Sequence, residues 1–178
     1  TPFCGHASGR PVDYVRAAAE KGVTILGFAC HCPMSSHGFG GPSIRMAFGQ
    51  VAQYRHMIEE AAEIGEALGV EVLCGIEAEY FPEPAELKAM DDLLARESFD
   101  FVLGSVHPHL AIYQQWFADH GVDSDDERQR VFWRHMAEAA TCGRYDAITH
   151  ADVVRCHGTL QAFDPATHEE GIATFLDT

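Results

Sequence analysis

Four residues with metal-binding side chains recur at matched points of the chain: His31, Glu77, His107 and His150. Each falls within a few residues of the end of a short apolar run rich in β-branched side chains. A single histidine in such a place is more often an ordinary polar residue than a ligand; the register shared by all four sets them apart. Imidazole nitrogens with one carboxylate suit Zn²⁺, Fe²⁺ or Mn²⁺, and a carboxylate can span two such ions. His6 joins the set if a strand precedes it. Asp152, two residues beyond His150, is placed to hydrogen-bond an imidazole N–H. Glu79 follows Glu77 on the same run and either orients a ligand or faces water. His109 is a weaker candidate for such support, because Pro108 makes the backbone of His107-Pro108-His109 turn.

The elements that must position these groups follow from local pattern. Residues 11–22 begin with Pro11 and end with Gly22, both helix boundary signals. Residues 23–28, 70–76, 99–103 and 145–149 read as strands. Helical patterns cover 46–68, 82–97, 125–142 and 166–176, and the connection 30–42 is rich in Gly, Ser and Pro. Regular alternation with helical crossovers predicts an α/β fold of parallel strands with helices outside. In a parallel α/β barrel the C-terminal strand ends share one face, where active sites are built. The four candidates would meet there.

Other chemistries find less support. The chain has no G-x-x-x-x-G-K-[ST], G-x-G-x-x-G or G-x-S-x-G string, and Gly38-Phe39-Gly40-Gly41 precedes no clean helix start. Gly104-Ser105-Val106-His107 invites a Ser–His reading, but the two side chains are expected to point apart. Histidines in helical patterns, such as His56 and His135, are expected to be ordinary and partly exposed.

Composition bounds the possibilities. The 178 residues carry 12 Lys+Arg against 27 Asp+Glu, a formal net charge of −15. That balance argues against a passive nucleic-acid binder, so an anionic ligand needs a local positive centre. With 47% hydrophobic residues the chain can bury a core, and it has neither a long apolar span nor a basic-then-apolar leader. Six cysteines without a C-x-x-C pair suit reduced thiols and a cytoplasmic protein, with Cys74 a small buried apolar residue.

The strings Thr1-Pro2-Phe3-Cys4-Gly5-His6-Ala7, Gly27-Phe28-Ala29-Cys30-His31-Cys32-Pro33, Gly75-Ile76-Glu77-Ala78-Glu79-Tyr80, Gly104-Ser105-Val106-His107 and His150-Ala151-Asp152 together resemble the PHP (polymerase and histidinol phosphatase) family, in particular its histidinol-phosphatase branch. The resemblance implies a distorted (β/α)7 TIM-like barrel holding three divalent ions (zinc, iron or manganese). It implies hydrolysis of L-histidinol phosphate to L-histidinol and phosphate in histidine biosynthesis. On it, His6 and His31 match ligands of one ion, and His107 and His150 match ligands of another. Glu77 matches the catalytic carboxylate that bridges two ions and supports a metal-activated hydroxide, and Arg155 matches a phosphate contact. The cations would then explain how an acidic protein attracts a small phosphorylated amino alcohol. The alternatives are another PHP phosphoesterase acting on nucleotides or nucleic-acid ends, and a non-catalytic metal-binding PHP-like module.

The chain departs from the family pattern in three places. An H-x-H pair expected before Thr1 and a later D-x-H string are absent, and Cys30 stands where the family usually has an acid beside His31. The expectation is a single PHP domain over 1–178, truncated at both ends, incomplete as a barrel and inactive by itself.

Overall fold

The structure, a computed structural model, describes residues 1–35, 39, 44–155 and 165–178. Most of the glycine-rich part of the 30–42 connection, with His37, lies outside the described residues, as do Cys156 and His157. The chain opens in turns and enters α1 (Pro11–Glu20), where the Asp13 carboxylate accepts from the Arg10 N–H and caps the first turn. Next come β1 (Ile25–His31), a short 3-10 turn and α2 (Val51–Leu68), which Gly69 closes at φ 73°. The order continues with β2 (Glu71–Glu79), α3 (Pro84–Arg96), β3 (Phe101–Ser105), α4 (Ala111–Asp119), α5 (Asp125–Thr141), β4 (Ala147–Ile148) and α6 (Glu169–Leu176). Ser124 and Glu127 form a reciprocal cap at the start of α5. Among the described residues, no helix is long and apolar enough to cross a membrane.

Among the described residues all strand pairs are parallel, and the sheet order β1-β2-β3-β4 equals the chain order. That unreversed order is the wall of an α/β barrel, whereas a doubly wound sheet would reverse at a switch point. Two departures from the sequence pattern matter. β1 and β2 each run three residues past their expected ends, because the ladder continues through His31↔Glu77 and Glu79↔Ser105. The helix α4 was not expected, since its start lies just past the turn-like His107-Pro108-His109.

Alternation along the strands sorts the side chains. Phe28, Cys30, Ile76 and Ala78 face the helices and pack with Val15, Tyr54 and Ile58 of α1 and α2. A second apolar cluster packs Val106 against Tyr113 and Phe117 of α4 and Phe132 and Met136 of α5. The Tyr54 hydroxyl lies 2.9 Å from Phe28 O and 2.6 Å from Gly75 O, tying α2 to two adjacent strands. On the opposite face the Phe101 ring lies against Gly75 so closely that a Cβ there would collide with it. Cys74, expected to be buried, is half-buried.

Candidate metal centre

The parallel register builds the centre. His31 is the last residue of β1, and its Cα partner across the ladder is Glu77. Paired residues on neighbouring strands project to the same face, so imidazole and carboxylate meet at the sheet's C-terminal rim. His107 arrives two residues beyond the end of β3, and His150 two beyond β4. Among the described residues, His31, Glu77 and His107 offer donor atoms that all lie within 4.8 Å of one another. The five predicted ligands, His6, His31, Glu77, His107 and His150, line one cavity of about 310 Å³ with Arg45. Ile44, Leu110 and Val153 supply apolar wall, and His109 also borders it, its ring centroid 5.5 Å from that of His107. A larger groove of about 430 Å³ between α5 and α6 lies elsewhere and contains none of these residues.

The two oxygens of Glu77 face different imidazoles. Oε2 lies 3.4 Å from His31 Nδ1, whereas Oε1 lies 3.0 Å from His150 Nε2 and 3.8 Å from His107 Nε2. His6 stands outside this inner group, exposed, with its ring edge-on to His31 at 4.9 Å between centroids. His150 holds its position with a backbone φ of 30°, a region that non-glycine residues seldom occupy and that costs about 1–3 kcal/mol. Strain of that kind persists where the surroundings demand a particular side-chain direction.

The charges follow the packing. Burial holds the His31 imidazole down at about 4, although Glu77 pulls the other way, so the ring is neutral with a lone pair to give. Burial alone would raise the Glu77 carboxyl, but the His150 hydrogen bond and the nearby His31 and His107 hold it below its ordinary range. Burial disfavours the charged form of His150, yet the bond to Glu77 outweighs it and raises that imidazole. Among the described residues, His31 Nδ1 is buried without a hydrogen-bond partner. Its 3.4 Å approach to Glu77 matches the spacing of two donors sharing a tetrahedral ion, about 3.3–3.4 Å for bonds near 2.0–2.1 Å. An orphaned nitrogen among neutral and anionic donors fits a divalent cation and leaves few other partners for that atom.

Behind the rim, Glu79 and Arg45 are buried together at 1% and 4% exposure. Of the two roles left open for Glu79, facing water is excluded. Burial would raise its carboxyl, but His107 and Arg45 hold it down at about 2. Arg45 carried no local sequence signal. It lies at the far end of the irregular connection, and only the fold brings its Nη2 to 2.6 Å from Glu79.

Other candidates lie differently. Asp152 is exposed beside the 3-10 turn Val153–Arg155, and among the described residues its carboxylate forms no hydrogen bond; the Glu79 carboxylate reaches His107 from behind the rim instead. Arg155 is exposed and does not line the cavity, because the 3-10 turn points Val153 inward instead. Cys30 alternates away from His31 and accepts the Thr1 hydroxyl at 2.7 Å on the helix side, so it cannot support that imidazole. The Ser105 hydroxyl donates to Ala78 O at 3.2 Å. His135 is 2% exposed rather than partly exposed, because its face of α5 packs into the second apolar cluster.

Known proteins share this fold. The PHP domain profile matches residues 1–177. A probable histidinol-phosphatase from Deinococcus radiodurans is 32% identical over 164 residues, 90% of this chain but 61% of that relative's length. The chain therefore spans less than two thirds of the curated relative it matches. A histidinol phosphate phosphatase from Lactococcus lactis, solved with zinc, L-histidinol and phosphate, superposes with a TM-score of 0.73 at 18% identity, over 99% of this chain and 65% of its own. A putative histidinol phosphatase from Listeria monocytogenes gives 0.75 at 17% identity, over 99% and 74%. At that identity the superpositions establish the fold, while the profile spans nearly every residue: the chain belongs to the PHP domain family.

Proposed function

We propose that the protein containing this chain is a metal-dependent histidinol-phosphatase, hydrolysing L-histidinol phosphate to L-histidinol and phosphate. The observation that carries this reading is Glu77, whose two oxygens face separate imidazoles at the sheet's C-terminal rim. A carboxylate so placed suits two ions, with His6 and His31 on one side and His107 and His150 on the other. The curated relative supports the substrate, and the Lactococcus structure, with zinc, histidinol and phosphate bound, supports both metal and substrate class.

Divalent ions in such a site supply Lewis acidity towards phosphoryl oxygens and lower the pKa of water towards neutrality. The chain's own residues do the rest. Glu77 keeps its charge at neutral pH because its hydrogen bond and neighbouring imidazoles outweigh burial. His31 offers a neutral nitrogen. The cavity volume of about 310 Å³ suits a small phosphorylated amino alcohol. Ile44, Leu110 and Val153 limit water on one side of it. Arg45 is engaged by Glu79 and by Phe39 O, so the dianion's charge falls to the cations.

The full-length protein should release phosphate from L-histidinol phosphate, lose that activity to a chelator and regain it with Zn²⁺, Mn²⁺ or Fe²⁺. Undiminished turnover after thorough metal removal would overturn the proposal, and a preference for nucleotides would redirect it to another PHP phosphoesterase.

A further inference from the structure

Behind His107 lies a pair of residues that the proposed chemistry does not itself require. Glu79 is the final residue of β2 and shares a strand face with Glu77, two positions earlier. Its carboxylate takes three hydrogen bonds. Oε1 accepts the His107 backbone N–H at 3.0 Å, and Oε2 accepts from the ring Nδ1 of the same residue at 2.6 Å. The third donor is Arg45 Nη2, 2.6 Å from Oε2. Arg45 is anchored in turn, its Nε donating to Phe39 O at 2.6 Å.

These contacts restrict His107 severely. An ionised carboxylate can only accept, so the proton must sit on Nδ1. In the neutral ring the lone pair is then on Nε2, the nitrogen that stands 3.8 Å from Glu77 Oε1 at the edge of the cavity. Because one carboxylate grips both the backbone and the ring of His107, translation and rotation of the imidazole are limited together. A buried Arg–Glu pair is a poor device for stability alone, since apolar replacements of similar volume often do as well or better. A carboxylate behind a ligating imidazole is, by contrast, a recurrent way to set tautomer and basicity.

We propose that Glu79, held by Arg45, is a positioning residue that locks His107 in the Nδ1–H tautomer and aims its Nε2 at the cation shared with Glu77. The proposal rests on the reading of His107 as a metal donor. Glu79 contacts neither substrate nor ion in this scheme and acts through His107.

Two measurements on the full-length protein test it. The first is a ¹⁵N–¹H side-chain correlation spectrum of the metal-stripped wild type, with the His107 signals assigned by comparison with His107→Asn. The Nδ1–H tautomer is expected, and an Nε2–H ring overturns the proposal whatever the enzyme's activity. The second is metal affinity by chelator competition. Glu79→Gln should bind 10–100-fold more weakly, and Glu79→Asp, which keeps the charge opposite Arg45, should recover part of that loss. Cooperative unfolding of each metal-free variant establishes that it is folded. Wild-type affinity in both folded variants overturns the positioning role. If Glu79→Gln does not fold, the tautomer and the Glu79→Asp affinity decide. Failure of the wild type to bind metal would strike the proposed function instead, and the tautomer would still decide this inference.

Discussion

Two parts of this molecule bury histidine, and they differ in what surrounds the ring. At the rim, His31, His107 and His150 surround Glu77, and each has a carboxylate oxygen within 3.8 Å. Behind α4, His135 sits among Tyr80, Tyr113 and Trp116, with ring centroids 5.1–6.1 Å away. Among the described residues its Nδ1 has no hydrogen-bond partner, and burial pushes the ring down to about 3. Both settings contain neutral, desolvated imidazoles. Only the rim combines them with anionic oxygen and open volume, so partners and space, rather than burial, separate a candidate ligand from a packing residue.

The contrast is broken most severely at its centre. Glu77→Gln in the full-length protein should cut turnover of L-histidinol phosphate by about 10³-fold and reduce bound metal, whereas His135→Phe should leave both near wild type. Turnover within tenfold of wild type for Glu77→Gln would remove the distinction between the regions. Arg45→Met should destabilise the metal-free protein by about 3 kcal/mol, near the lower end for a buried charge that loses its partner, because His107 still donates to Glu79. Urea unfolding measures it, and a loss below ~1 kcal/mol would mean that the pair is not rigidly buried.

Acid should sharpen the difference. The His135 pKa is depressed in the fold from 6.5 to about 3, so the unfolded chain takes up a proton that the folded ring refuses. The stability it contributes is full above pH 6.5 and is lost as pH falls towards about 3, at about 1.4 kcal/mol per pH unit. His135→Phe should recover about 2 kcal/mol between pH 6.5 and pH 5 relative to wild type, seen as a shallower fall in the urea midpoint. Equal pH slopes would show that His135 is solvated. Smallest is the reference outside both regions: Ser124→Ala, at the head of the helix that carries His135, should cost about 1 kcal/mol equally at both pH values and leave metal affinity unchanged. An altered affinity would show that α5 is coupled to the rim.

What the sequence disclosed and what it concealed divide along the same physical line. The alternation of runs and helices, and the recurrence of His31, Glu77, His107 and His150 at run ends, are local patterns, and the parallel sheet follows from them. Arg45 pairs with a residue 34 positions away, and it stands at the end of a connection whose path no periodicity encodes. Glu79 could be placed on the face of Glu77 by alternation, but its partners and burial depend on that same connection. His135 is buried because α5 is broadly buried, with Gln129, Trp133 and Met136 also inside, a consequence of packing against the sheet, α4 and α6 that its own charged sequence masks. α4 is masked in the sequence because a turn signal stands directly before it.

His31 and Glu77 are rungs of the sheet ladder itself rather than loop residues. On the proposed reading, inheritance can lengthen, shorten or rewrite the connections above the rim, and so change which ester is admitted, while backbone pairing keeps this donor pair in place. Selectivity and reactivity would then be written in separable parts of the chain, and a lineage built this way can explore new substrates without first losing its chemistry.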